Sequence, residues 1–197
     1  MSEGHEYKVV SSTERFSGPL FRVVTDEVEM PGGTVAARDY MRHIGAVGVV
    51  ALDDDNRVLL VHQYRHPVRQ FLWELPAGLL DVAGEEPVKS AARELAEEAD
   101  LTAETYVHLT DALVSPGCSD ERIRLYLARG LRPVPDAERH VRTHEEAEMT
   151  TRWWDLDEAV AGVLDGRIAN AACQVGVLGA AAVVRGSAGV EGAGLGE

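Results

Sequence analysis

Two apolar runs, Gly45 to Ala51 and Val58 to Tyr64, have the composition of strands with covered faces. The charged stretch Asp53-Asp54-Asp55-Asn56 between them predicts a turn, and with it a hairpin in the core of a main sheet. Upstream the pattern is shorter and more broken. Tyr7 to Ser11, Leu20 to Met30 and Thr34 to Arg42 read as strands, the last two separated by the Pro-Gly-Gly turn at 31–33, so a small separate sheet is expected.

Downstream, WELPAGLLDVAGEEP reads as a loop, and a helix is expected over Val88 to Ala99 with Pro87 at its first position. Strands are expected at Tyr106 to Ala112, Ile123 to Ala128 and Thr150 to Trp154, with a charged loop from Pro133 to Glu148 before the last. Helices near Asp157 to Asp165 and Ala169 to Val184 complete the pattern. The Gly-rich stretch RGSAGVEGAGLGE lacks core residues and is expected to be disordered. The expected organisation is therefore an N-terminal sheet over 1–44, a main domain over 45–185 and a tail over 186–197.

Charge narrows the chemistry. With 33 acidic against 19 basic side chains the formal charge is -14, which argues against nucleic acid and anionic membranes as partners. An acidic protein that handles an anionic small molecule must put arginines, lysines or divalent metals between its carboxylates and the ligand. Cys118 and Cys173 belong to no CxxC pair, so neither zinc nor a disulfide framework is expected, and the setting is expected to be the reducing cytoplasm. MSEGHEYKVV has no basic region leading into an apolar run, so no signal peptide is expected. The longest apolar stretch, Ala171 to Val184, is shorter than a membrane span and contains Gln174 and two glycines.

The chemically informative segment is AARELAEEADL, residues 91–101. On a helix Val88, Ala92, Leu95 and Ala99 form an apolar stripe, while Glu94, Glu97 and Glu98, at i, i+3 and i+4, converge on a neighbouring face. Such a trio destabilises an isolated helix by about a few tenths of a kcal/mol per pair. Hard divalent cations, which prefer carboxylate oxygens, would offset that repulsion. Alone, three glutamates tempered by an Arg93–Glu97 pair favour a solvated acidic face. A preceding glycine loop, Glu85 and the block RELAEE make a compound pattern that shifts the balance to metal chemistry.

That pattern resembles the Nudix box, G-x5-E-x7-R-E-U-x-E-E-x-G-U with U aliphatic, from Gly78 to Leu101. Glu85, Arg93, Glu94, Leu95, Glu97, Glu98 and Leu101 match. Six residues rather than five separate Gly78 from Glu85, an insertion a loop absorbs, and Asp100 stands where the pattern has glycine. That position calls for a left-handed residue, which aspartate tolerates better than most.

The stretch GAVGVVALDDDNRVLLVHQYRHPV, the following WELPAGLLD, the PGCSDE loop and the small N-terminal sheet resemble the ADP-ribose pyrophosphatase group of that family. Pro116, fifteen residues beyond Leu101, matches a proline marker of the group. The resemblance implies an α+β fold, an α/β/α sandwich with a mixed central sheet between helices and a small N-terminal antiparallel sheet. It implies Mg2+-dependent hydrolysis of ADP-ribose to AMP and ribose 5-phosphate, with Mn2+ as a possible substitute. Another nucleoside diphosphate sugar, a dinucleotide or a binding module without turnover are the alternatives.

By the same resemblance Glu94 and Glu98, the backbone carbonyl of Ala77 and an assisting Glu97 are the expected metal ligands, and Arg93 fixes a glutamate rotamer. Glu146, with Glu145 as the alternative, is the expected base or water-orienting group. Arg65, Arg38, Gly78 and Pro116 are the expected substrate contacts, Arg38 reaching the site from a partner subunit. The N-terminal strands are expected to build a homodimer, since a small sheet is unstable alone. Trp73 is expected in the core rather than on a base.

Overall fold

The structure, a computed structural model, describes residues 6–141, 148–186 and 192–193. The chain divides into two compact units, the described residues up to Gly45 with Leu113–Arg122, and Ala46–Ala112 with the described residues from Ile123 onward.

In the first unit β1 (Val9–Ser17), β2 (Phe21–Glu29) and β3 (Val35–His43) form an antiparallel sheet in that order. Gly32 and Gly33, at φ 92° and 80°, turn β2 into β3, a conformation that L side chains reach only with strain. β1 runs well past the expected Ser11. It stays paired with β2 by slipping register twice, between Val9 and Ser11 and between Glu14 and Phe16. The PGCSDE loop adds to the β3 edge. Met41 N–H donates to the Cys118 carbonyl at 2.8 Å, and His43 N–H donates to Asp120 Oδ1 at 2.7 Å.

The second unit carries β4 (Ala46–Ala51), β5 (Arg57–Arg65), β6 (Gln70–Glu74), β7 (Ala77–Leu79), α1 (Pro87–Ala99), β8 (Leu101–Thr102) and β9 (Thr105–Leu113, whose last residue falls in the first unit). They are followed by β10 (Arg122–Arg129, whose first residue falls in the first unit), β11 (Arg132–Pro133), a 3-10 turn at Asp136–Glu138, β12 (Thr150–Asp155), α2 (Leu156–Leu164), α3 (Ala171–Val184) and β13 (Gly192–Ala193). One mixed sheet has the order β13-β9-β10-β4-β7, with β10 parallel to β4, and an antiparallel sheet has the order β12-β5-β6.

β4 explains why its sequence is apolar at every position. Val47, Val49 and Ala51 pack with Ala91 and Leu95 of α1, whereas Val50 and Leu52 pack with Ala159 of α2 and Val177 of α3. Helices thus cover both faces of the strand, the α/β/α arrangement expected from the resemblance.

Two expectations are corrected. The hairpin is only a turn: Asp53 N–H donates to the Arg57 carbonyl and Leu52 bridges Val58, after which β4 joins the mixed sheet and β5 joins β6 and β12. A run apolar on both faces carries no information about its neighbour, so adjacency in sequence was a poor guide to pairing. The loop WELPAGLLD contains the end of β6 and all of β7. In the tail, Gly192 and Ala193 pair with Val107 and Tyr106, while 187–191 and 194–197 lie outside the described residues.

Both C-terminal helices are capped from the side chain preceding them. Asp155 accepts from Asp157 N–H and Glu158 N–H, and Asn170 Oδ1 accepts from Cys173 N–H at 2.9 Å. Trp73 packs against the core, edge-on to Trp154 at 5.4 Å and against His62 at 4.5 Å. No described helix is long and apolar enough to cross a membrane.

Candidate active site

The site is built where α1 crosses β7. Ala91 and Leu95 are fully buried and anchor the helix, with Val88, Ala92 and Ala99 partly buried beside them. Ala91, absent from the expected stripe, is its centre. The next turn of the same face brings Glu98 inward, where it is 7% exposed and its Oε2 accepts the Ala77 N–H at 2.8 Å. The helix ends as the sequence implied: Asp100 adopts φ 53° and ψ 35°, and its N–H returns to the Ala96 carbonyl.

Glu94 lies flat against the neighbouring glycine. A Cβ on Gly78 would stand 2.0 Å from the Glu94 carboxyl carbon, so this position needs glycine for space and not for backbone freedom. Burial pushes the Glu94 carboxyl up from its usual range, an effect that Arg93 partly offsets.

Arg93 is the hub of the acidic cluster. Its Nη1 reaches Glu94 Oε1 at 2.6 Å and Glu97 Oε2 at 3.3 Å, and its Nη2 reaches Glu85 Oε2 at 3.3 Å. Burial works against the guanidinium charge, but the bonds to Glu85 and Glu94 outweigh it and raise its pKa. Ser90, fully buried, donates its hydroxyl to Glu85 at 2.6 Å, and this bond, followed by that to Arg93, holds the Glu85 carboxyl below its usual range. Ser90 escaped the sequence reading because a helical serine resembles a surface residue.

Whether these residues suit a hard divalent cation depends on donor type and space. Glu94 and Glu98 offer carboxylate oxygens on one side of the helix, against a strand whose glycine leaves the carboxylate its room. Among the described residues no three acidic, histidine or cysteine side chains are already gathered as a cage. The reason is visible: Arg93 occupies Glu94 and Glu97, and the Ala77 amide holds Glu98. The donor set fits, with Arg93 standing as the cation that balances it.

Beside this cluster lies a cleft of about 440 Å³ lined by Arg93, Ala96, Glu97, Glu138, Arg139 and His140, among others. Glu145 and Glu146, the expected bases, lie outside the described residues. Arg65 is not an isolated cation awaiting a phosphate. The buried carboxylate of Glu74 grips it through Nε and Nη2, at 3.0 and 2.7 Å. Glu74 was missed, although a lone acid within the apolar stretch FLWEL is a signal of a paired buried charge. Arg38 and Pro116 belong to the first unit, where Arg38 is exposed on β3 with Nη1 donating to the Ala37 carbonyl and Pro116 is exposed in the Ser115–Ser119 turn.

An α/β/α sandwich with a glycine strand laid against a glutamate-bearing helix defines the class, and the comparisons agree. The NUDIX domain family matches residues 42–172, and the chain belongs to that family. It is 48% identical over 184 residues to an ADP-ribose pyrophosphatase of Mycobacterium tuberculosis, covering 93% of this chain and 87% of the relative. It is 40% identical to a methanol dehydrogenase activator of Bacillus methanolicus, over 66% of this chain and 70% of the relative. A crystal structure of an ADP compounds hydrolase superposes with a TM-score of 0.79 at 19% identity, over 95% of this chain and 98% of the other, a likeness of fold.

Proposed function

We propose that this protein hydrolyses the pyrophosphate bond of ADP-ribose, adding water to give AMP and ribose 5-phosphate. The observation that carries the reading is the 48% identity to an ADP-ribose pyrophosphatase over nearly the whole chain, together with Glu94 and Glu98 set against Ala77 and Gly78.

Glu94, Glu98 and the Ala77 carbonyl would hold Mg2+, or Mn2+ in its place, with Glu97 assisting. Charge neutralisation of the diphosphate and a lowered pKa for the attacking water are the chemistry such an ion would supply there. Glu98 is buried and Glu94 partly so, which limits bulk water around their oxygens and strengthens their hold on a cation. Arg93 holds Glu94 and Glu97 together, and Glu85 with Ser90 keeps Arg93 in place. Gly78 lets the Glu94 carboxylate lie on the strand beside the diphosphate. Glu146, or else Glu145, takes the proton from water. Arg65 binds a phosphate, Pro116 shapes the ribose end, and Arg38 reaches the site from the partner subunit.

A homodimer built through the N-terminal strands fits this reading, because β1 carries Val9, Val10 and Phe16 about half exposed. The cytoplasm is the proposed location. The net charge of -14 argues against nucleic acid and membranes as partners.

The test is a panel of ADP-ribose, ADP-glucose, NADH and diadenosine polyphosphates, with and without Mg2+, resolved by chromatography. AMP and ribose 5-phosphate, formed fastest from ADP-ribose and abolished by chelation, are expected. Faster turnover of another member would reassign the substrate, and no turnover of any would refute hydrolysis.

A further inference from the structure

Four residues, Glu74 to Ala77, carry the chain from the antiparallel sheet to the mixed sheet, and each is held by a different neighbour. Glu74 is 2% exposed and takes the Arg65 guanidinium edge-on, and the Gln63 amide adds a contact at 3.4 Å. Leu75 is wedged so tightly that a Cβ on Gly176 of α3 would come within 2.7 Å of its Cδ1. The Pro76 carbonyl accepts the Val49 N–H of β4 at 2.8 Å. Ala77 N–H donates to Glu98 Oε2, also at 2.8 Å.

A buried carboxylate is costly, and an apolar residue of similar volume packs a strand equally well. Glu74 therefore calls for a role other than stability. Among the described residues its charged partner is the half-exposed Arg65, whose fork it holds through two nitrogens. Three residues further on, the same strap holds a box glutamate. Anchors three residues apart lie at most about 11 Å from each other along the backbone.

We propose that Glu74 is a positioning residue for phosphate recognition. It sets the direction of the Arg65 fork, and the Glu74–Ala77 strap fixes the span between that cation and the box carboxylates. A ligand with two linked phosphates is then met by cationic and metal-holding groups at a set separation. The inference rests on the proposed reading of Arg65 as a phosphate ligand and of Glu94 and Glu98 as metal ligands.

The test uses the purified full-length chain with ADP-ribose and Mg2+. Turnover by the wild type tests the underlying reading; the variants test this one. Glu74→Gln keeps size and burial but removes the charge, so KM is expected to rise about tenfold while kcat falls less than about threefold. In an Arg65→Ala background the same change is expected to add little, because the residue acts through Arg65. Arg65→Lys, which keeps the charge without the fork, is expected to lose as much in KM as Glu74→Gln. Glu74→Asp is expected to restore part of the loss. Additive effects of Glu74→Gln and Arg65→Ala, or a fall in kcat alone, would overturn the proposal. If Glu74→Gln does not fold, Arg65→Lys decides: a wild-type KM there overturns it too.

Discussion

Gly78→Ala is the sharpest perturbation the site offers. The added methyl would stand 2.0 Å from the Glu94 carboxyl carbon and 2.2 and 2.5 Å from its oxygens, distances that no packed atoms occupy. Something must yield, and the far end of a glutamate side chain yields more easily than a strand paired to β4 through Val47 and Gly78. Overpacking costs about 1–3 kcal/mol, and here the low end applies because the clash is relieved by one rotamer change. A loss of about 1 kcal/mol lowers the Tm of a chain this size by about 2–4 °C. The chemistry suffers far more, because a displacement of about 1 Å in a positioned group can cost about 100-fold in rate. The assay is paired: a thermal melt, and Mg2+-dependent hydrolysis of ADP-ribose. A small drop in Tm with a loss of two or more decades in kcat/KM is expected. Wild-type turnover in Gly78→Ala would refute the placement of Glu94 in the machinery, and so would an activity loss fully accounted for by unfolding.

Glu94→Gln and Glu98→Gln are each expected to fold normally and lose most of kcat, checked by circular dichroism and steady-state kinetics. Asp100→Gly is expected to raise Tm by about 2–4 °C, since it relieves about 1 kcal/mol of strain at φ 53°; an unchanged or lower Tm would show that the aspartate is at ease there. Arg124, and after it His108, hold the Asp111 carboxyl well below its ordinary range. A depressed carboxylate contributes stability above its unfolded pKa of about 3.9, and that contribution fades as pH falls below it. Asp111→Asn should therefore make the acid limb of a Tm-against-pH curve shallower below about pH 4 and leave the curve above that pH unchanged in slope. Gly176→Ala would force its methyl between Leu75 and Val50, at 2.7 and 2.9 Å, and is expected to cost about 1–3 kcal/mol in urea unfolding.

What could be read from the chain differs from what could not by how local the information is. The box was legible because Glu94, Glu97 and Glu98 fall within two turns of one helix, so sequence spacing is spatial spacing. The left-handed Asp100 was legible for the same reason, being the property of one residue at a helix end. The partnership of β4 was not, since Val47 and Val50 are equally apolar and only the helices on either side tell them apart. Arg65 was recognised as an important cation, yet its grip by Glu74 depends on a β5–β6 pairing that brings residues nine apart together. Glu98 was assigned to the metal from the pattern, while its bond to the Ala77 amide came only with the fold.

The measurement that bears most directly on the central claim is a crystal structure of the protein with Mg2+ and a non-hydrolysable ADP-ribose analogue. The account expects Glu94 and Glu98 oxygens at about 2.0–2.1 Å from magnesium bridging to the diphosphate, with Glu94 released from Arg93. A diphosphate bound elsewhere, with both carboxylates still on Arg93 and the Ala77 amide, would contradict it.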